Sequence, residues 1–382
     1  MKGLFRYLYI FIAAIFAFAG CSEGSESAGP MQKMAVEFDL NFVGVAESGE
    51  GTSKNGVLDD YFIDGRSVII ISQRGTSLSI NFNDYTIDNE GNQTENENLY
   101  KYVYYTNTSA DWDNYYNFQP YGNRALDWAY MERNSLNGEY ALGALYYPVG
   151  YNVYNSVEQD QSSYENLLRS NVLGAWHRTY ATKTRLRFAF YHLMEAIRVT
   201  LLIPDWNPED NSGFGADAVE SAAMLGMIKD FSIDWSLDNS TETSPHAQYL
   251  REGVEPCDII MYPESVDNDV RRVRYNDITS SFPDDEESVR TATFVVLFPP
   301  QQPAINAPAM RFILKTMGGQ EKSYVWSTNN MYDNPLRSEG GLVNNLTLYL
   351  PRKANNAILI KAHILDWVDA DSQFTVIPDD VE

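Results

Sequence analysis

Residues Val36-Glu37-Phe38-Asp39-Leu40-Asn41-Phe42 alternate apolar and polar without a break. A period of two puts Val36, Phe38, Leu40 and Phe42 on one face, so this stretch predicts a half-buried strand. A small, polar loop from Glu47 to Gly56 follows and contains Lys54. Tyr61 to Ser72 predicts a second strand, with Val68-Ile69-Ile70-Ile71 as a fully buried stretch, and Leu78 to Phe82 alternates again. Further strands are predicted at Leu99–Tyr105 and Ala144–Tyr147, the latter stopped by Pro148-Val149-Gly150. From Arg185 a long alternation carries Leu186, Phe188, Phe190 and His192 on one face. After Met194-Glu195-Ala196 it resumes with Ile197, Val199, Leu201 and Ile203 until Pro204. Later strands fall at Thr293–Phe298, Met310–Thr316, Ser323–Ser327, Asn345–Leu350 and Ala357–Trp367.

Helical signals are few. Tyr164 to Leu173 reads as a short helix or an irregular segment, and Ala216 to Ile228 carries the one helical periodicity. Many short strands between turn signals predict an all-β chain built of β-sandwiches. No short repeat is visible. About 350 residues beyond the N-terminal segments exceed one comfortable core, which predicts two domains, 31–181 and 182–382.

The N-terminus has a different pattern. Lys2 and Arg6 precede an apolar run from Tyr7 to Gly20, followed by Cys21. This describes a secretory signal over residues 1–20, too short to span a bilayer. Phe18-Ala19-Gly20-Cys21 resembles the lipobox of bacterial lipoproteins, with Phe18 where leucine is usual. The resemblance implies cleavage before Cys21 and acylation of that residue. Acyl chains contribute about 0.8 kcal/mol per buried methylene, so several anchor a protein firmly. Residues 21–30 are small, polar and acidic and read as a flexible tether. Expected localisation is the cell outer membrane, surface-exposed and lipid-anchored.

Charge and cysteine content narrow the partners. Net charge is −24, and −26 once Lys2 and Arg6 leave with the signal. Such a surface repels phosphate backbones, which argues against nucleic-acid binding. After lipidation of Cys21 only Cys257 is left, so no internal disulfide can form.

The ordered set of strands resembles the fimbrillin family, the subunits of type V pili. Four segments carry the likeness: Leu145-Tyr146-Tyr147-Pro148 with Leu167-Leu168-Arg169-Ser170; the run Leu186 to Val199; Val295 to Gln301; and Gly340-Gly341 leading to Asn345–Leu350 and Ile358–Trp367. The resemblance implies two tandem transthyretin-like β-sandwiches. It also implies assembly by donor-strand exchange, in which a protease cuts the loop after the first strand and a neighbouring subunit's strand replaces it. Val36, Phe38, Leu40 and Phe42 would then form the displaceable strand and Lys54 the cut site. Arginine is the commoner cut residue in that family, so Lys54 equally reads as a loop lysine that nothing cuts. Gln373-Phe374-Thr375-Val376-Ile377, stopped by Pro378, is the one donor-like alternation at the far end. An accessory role, anchor or tip, suits this imbalance between acceptor and donor better than a stalk role. Partners would be other pilin subunits, the outer membrane through the lipid anchor, and host or bacterial surface ligands.

No catalytic or cofactor constellation emerges. The histidines His177, His192, His246 and His363 have no metal-ligand spacing. His192 fits a satisfied core position and His363 a solvent-facing one. Gly213-Phe214-Gly215-Ala216-Asp217-Ala218 imitates a dinucleotide fingerprint but lacks the entering strand. Asp267-Asn268-Asp269 and Asp284-Asp285-Glu286-Glu287 lack calcium-loop spacing and read as solvated turns. The expectation is a non-enzyme with no metal and no cofactor.

One rival reading uses the aromatics. Twenty-six tyrosines, eighteen phenylalanines and seven tryptophans could include stacking platforms for sugars on a surface glycan-binding lipoprotein of an uptake system. Trp112, Tyr115, Tyr116, Tyr121 and Trp128 are its candidates. That reading expects polysaccharide to retard the protein in a native gel and Trp112→Ala to abolish the effect. Unretarded migration of the parent protein removes it.

Overall fold

A computed structural model describes residues 38–42, 67–73, 85–87, 93–95, 99–107, 116–120, 139–149, 155–180, 186–234, 246–249, 254–274, 286–304, 307–328 and 336–366. The all-β expectation is met, with a single short helix among the described residues. In chain order the first strands are β1 (Phe38–Phe42), β2 (Ser67–Gln73), β3 (Tyr85–Ile87), β4 (Gln93–Glu95), β5 (Leu99–Asn107), β6 (Tyr116–Pro120) and β7 (Glu139–Tyr147). Helix α1 (Tyr164–Ser170), β8 (Leu173–Tyr180) and β9 (Leu186–His192) follow. Strands β1-β6-β5-β2-β7-β8-β9 close into a barrel, and β3 and β4 form a separate ribbon. Every step around the ring is antiparallel except one: β1 and β9 pair in parallel. An odd ring of alternating strands must contain such a seam.

The rest of the chain forms a two-layer sandwich. Its strands are β10 (Glu195–Pro204), β11 (Val219–Met227), β12 (Phe231–Asp234), β13 (His246–Tyr249), β14 (Cys257–Ile260), β15 (Tyr262–Arg274) and β16 (Glu286–Phe298). They continue with β17 (Pro308–Lys315), β18 (Glu321–Ser327), β19 (Leu342–Tyr349) and β20 (Ile358–Asp366). One sheet runs β15-β16-β10-β19-β20, the other β14-β11-β17-β18, with β12 and β13 as a two-stranded ribbon. Alternate residues of β10, namely Ile197, Val199, Leu201 and Ile203, meet Met224, Met310, Phe312, Leu314, Tyr324 and Trp326 in one buried cluster. This alternation is the one visible in the sequence, and sheet-on-sheet packing is what it serves.

Ala216–Ile228 is not a helix. Val219–Met227 is strand β11, paired with β14 and β17, and its register shifts between Val219 and Ser221 and again between Met224 and Met227. Two slips within nine residues break the period of two and leave apolar residues at helix-like spacing. The stretch Tyr262–Arg274, without apolar alternation, forms the edge strand β15, where Val266 and Val270 are exposed. The pattern there is that of a charged, bulged edge that resists further pairing.

The connection between β7 and β8 leaves the barrel and lies against the sandwich. Val157, Leu167 and Val172 join the sandwich core. Ser163 caps α1 by accepting from the Asn166 backbone N–H, and Glu165 pairs with Arg169 one turn later. Gln161 is fully buried; its Nε2 donates to Leu297 O at 2.7 Å, and Leu297 N–H donates to its Oε1 at 2.9 Å. The amide therefore substitutes for one residue of a neighbouring strand. Gln301 does the same for Ile228, accepting its N–H and donating to its carbonyl.

Gln161→Ala strands the N–H and carbonyl of Leu297, at about 1–3 kcal/mol for each unsatisfied buried group. The expected result is a lower urea midpoint with an unchanged slope. A midpoint equal to the parent's would show that the amide contributes nothing.

Candidate functional site

The seam of the barrel is the feature with chemistry to offer, and its currency is backbone hydrogen bonding. Strand β1 pairs with β9 over five positions, Phe38↔Leu186, Asp39↔Arg187, Leu40↔Phe188, Asn41↔Ala189 and Phe42↔Phe190. On its other side it meets β6 at Asp39↔Asn117 and Leu40↔Tyr116. Register partners share a face of the sheet, so positions 38, 40 and 42 lie beside 186, 188 and 190. Phe188 and Phe190 are each 1 % exposed, their rings 6.2 Å apart and tilted.

Strand β9 depends on this partner. Its only other pairing among the described residues is Leu173↔His192 and Gly174↔Tyr191 with β8, at its far end. Among the described residues, β1 is the one strand that pairs with 186–190. The far end, by contrast, is well fixed. Leu193 N–H donates to Val172 O, and His192 Nδ1 lies 2.9 Å from Asn171 Oδ1. His192 is buried and partnered, as its place on the apolar face predicts.

Beyond His192 the chain turns at Leu193-Met194 into β10, and the loop 336–341 packs over this turn. Gly341 N–H donates to Met194 O, and a side chain at Gly340 would place its Cβ 2.8 Å from Leu193 O. Only a residue without Cβ allows that approach. Next to it Glu195 is 1 % exposed and accepts from Asn344 Nδ2 at 2.8 Å. Asn344 also brackets Arg337, donating to its carbonyl and accepting its N–H. The second oxygen of Glu195, Oε2, has no partner of good geometry. Burial pushes this carboxyl well above its ordinary range; the Gln301 backbone and the Ser338 side chain favour the charged form more weakly. The interruption Met194-Glu195-Ala196 marks the position in the sequence, but nothing there identifies Asn344 as its partner.

Other residues singled out from the sequence resolve into structural roles. Gly213-Phe214-Gly215 closes the turn after β10 rather than opening a helix. Phe214 N–H donates to Pro204 O, and Gly213, at φ +86°, has room for no Cβ against Asp205 O and Arg352 Nη1. Glu287 is not part of a solvated turn: it sits in β16, accepts from Tyr349 OH at 3.0 Å and pairs with Arg352 at 2.7 Å. Asp267-Asn268-Asp269 lies in β15, where Asn268 Nδ2 donates to Asp217 and Asp267 pairs with Arg271. No group of three potential metal ligands occurs among the described residues. His363 is exposed, as expected. Cys21, Val36, Lys54, Trp112, Tyr115, Tyr121 and Trp128 lie outside the described residues, as does Leu78–Phe82. No helix among the described residues is long and apolar enough to cross a membrane.

No family model matches the chain, and no curated protein does. Solved structures similar to it include two proteins assigned to cell adhesion. The one from Bacteroides uniformis is 12 % identical, covers 87 % of this chain and 99 % of its own, and superposes with a TM-score of 0.46. The one from Bacteroides ovatus is 13 % identical, covers 88 % and 98 %, and has the same TM-score of 0.46. A fimbrial assembly protein from Parabacteroides distasonis is 8 % identical over 87 % of this chain and 100 % of its own, with a TM-score of 0.33.

The Glu195 carboxyl makes stability depend on pH. Its folded value is raised above the unfolded one, near 4.5, so its contribution is fully present below about pH 4.5 and is lost as pH rises towards the folded value. Glu195→Gln holds the same place without charge. The variant is expected to gain melting temperature relative to the parent as pH rises from 4 to 8. A difference that stays constant over that range would contradict an elevated carboxyl.

Proposed function

We propose that this chain is a fimbrillin-like subunit of a surface filament, carried to the surface through an acylated Cys21 until a cut releases it, and built to accept a strand from a neighbouring subunit. The arrangement of β1 supports this reading most directly. It is the first strand of the barrel, it closes the ring, and among the described residues no other strand pairs with 186–190 of β9. A cut after Lys54, in the stretch between β1 and β2, would free β1 from everything but its own pairing. Its departure would expose the backbone of Leu186–Phe190 together with Phe188 and Phe190.

The energetics favour replacement over vacancy. Burying Val36, Phe38, Leu40 and Phe42 would contribute about 1.5–3 kcal/mol each. That is comparable with the whole net stability of a domain, about 5–15 kcal/mol. An opened barrel would therefore bind an extended strand tightly, as strand-addition complexes do. Nothing in the reading requires catalysis, a metal or a cofactor.

The test uses the chain cut after Lys54 and separated from its N-terminal fragment. Adding a peptide of residues 34–44 in excess is expected to raise its melting temperature by several degrees, whereas a peptide with positions 38, 40 and 42 changed to serine has no effect. Equal behaviour of the two peptides would refute a strand-accepting role.

A further inference from the structure

We infer that residues 155–172 are a strap that the barrel's chain supplies to the sandwich, and that β14 and the β12–β13 ribbon stay ordered only while it is docked. The strap would do this whether or not the seam accepts a strand. By sequence the segment belongs to the barrel, because it lies between β7 and β8. Its bonding places it with the sandwich. Val157 N–H donates to Lys229 O at 3.0 Å and Phe231 N–H to Asn155 O at 2.9 Å, an antiparallel bridge centred on Ser156 and Asp230. Ile260 N–H donates to Gln159 O at 2.8 Å and Gln161 N–H to Ile260 O at 3.0 Å, a parallel bridge. Residues 155–161 thus join β12, in the ribbon, to β14, at the edge of its sheet.

Both elements need this support. β14 has four residues and meets β11 at three register positions, with a shift between Met224 and Met227. The ribbon has two strands, and two strands alone are marginal in water. The strap adds a backbone neighbour to each. It also adds apolar anchors: Val157, Leu167 and Val172, each 1 % exposed, share one cluster with Phe231, Ile259 and Met261. Gln161 ties the strap to β16 through Leu297, and the Tyr164 ring lies 6.0 Å from that of Tyr262 in β15. Internal bonds make the strap one piece. Glu158 N–H donates to Ser170 Oγ, Ser170 Oγ donates to Asn166 O, and Asn166 Nδ2 donates to Asp160 O. A loop resting on a finished sandwich opens without its neighbours. A segment interlocked in this way opens with the elements it supports, as one cooperative unit.

Native-state hydrogen exchange of the intact chain, with urea rising below the main transition, reads this unit. Met261 N–H, bonded to Ala222 O, and Ile228 N–H, bonded to Gln301 Oε1, report the sandwich through bonds that do not involve the strap. Val157 and Gln161 N–H report the strap. All four are expected to merge into one opening with one urea slope. An opening of Val157 and Gln161 at lower free energy and smaller slope, with Met261 and Ile228 still closed, would overturn the strap. A second arm forces undocking with Val157→Asp and Leu167→Asp together, since each buries a charge in the docked state. Exchange at Met261 and Ile228 is then expected to quicken about 30-fold or more, while β10 keeps its protection. Unchanged exchange at Met261 and Ile228, beside freely exchanging Val157 and Gln161, would overturn it as well. Where the double variant does not fold, the urea series on the parent decides.

Discussion

Backbone hydrogen bonding across the β1–β9 seam is the constraint on which the barrel depends. Going round the ring, six antiparallel steps bring the strand direction back to where it began, so the seventh contact must be parallel. A closed ring has no free edge, which removes the hazard of unwanted strand pairing. Loss of β1 would reopen two edges together, one on β6 and one on β9. Parallel pairing is also the slightly weaker kind per residue. The ring is thus closed by its first strand, through five parallel pairs with β9 and two antiparallel pairs with β6.

The sandwich shows the opposite arrangement. Its β10 is paired along its whole length, with β16 on one side and β19 on the other, and all ten of its residues are buried. Where pairing runs out, buried amides take over. Gln161 completes Leu297, Gln301 completes Ile228, and Asn344 completes Arg337. Each satisfies both backbone groups of one residue with two separate atoms, a donor and an acceptor, which a carboxylate or an ammonium could not do. The backbone groups they complete, those of Leu297, Ile228 and Arg337, lie where the ladder on that side has ended and where an orphaned polar group is costly.

Period-two alternation made β1, β9, β10, β17 and β19 legible in the sequence, because each buries one face against a core. It failed where burial and period part company. β11 looks helical since two register slips shift its phase, and small residues such as Ala222, Ala223 and Gly226 blur it further. β15 was invisible since an edge strand with Asp267, Arg271 and Arg272 facing water buries almost nothing. The seam itself was half legible. Alternation identified the strand, yet no periodicity could reveal that it pairs in parallel with β9, 144 residues and more along the chain, because neighbour identity is a property of topology. Gln161 and Asn344 belong to the same class: a buried amide has the same letters as an exposed one.

Position of the seam relative to the sandwich gives the last step. β9 ends at His192 and two residues, Leu193 and Met194, join it to β10, whose ten residues are all buried. The turn between them is bonded on one side to Val172, in the connection docked on the sandwich, and on the other to Gly341, in the loop fixed by Asn344. Loss of β1 would remove the neighbour of residues 186–190 without touching any of these bonds. These bonds hold the far end of β9, whereas residues 186–190 themselves are paired by β1. Under the proposed function, the fixing of the end of β9 by the sandwich would therefore matter as much as the apolar content of β1.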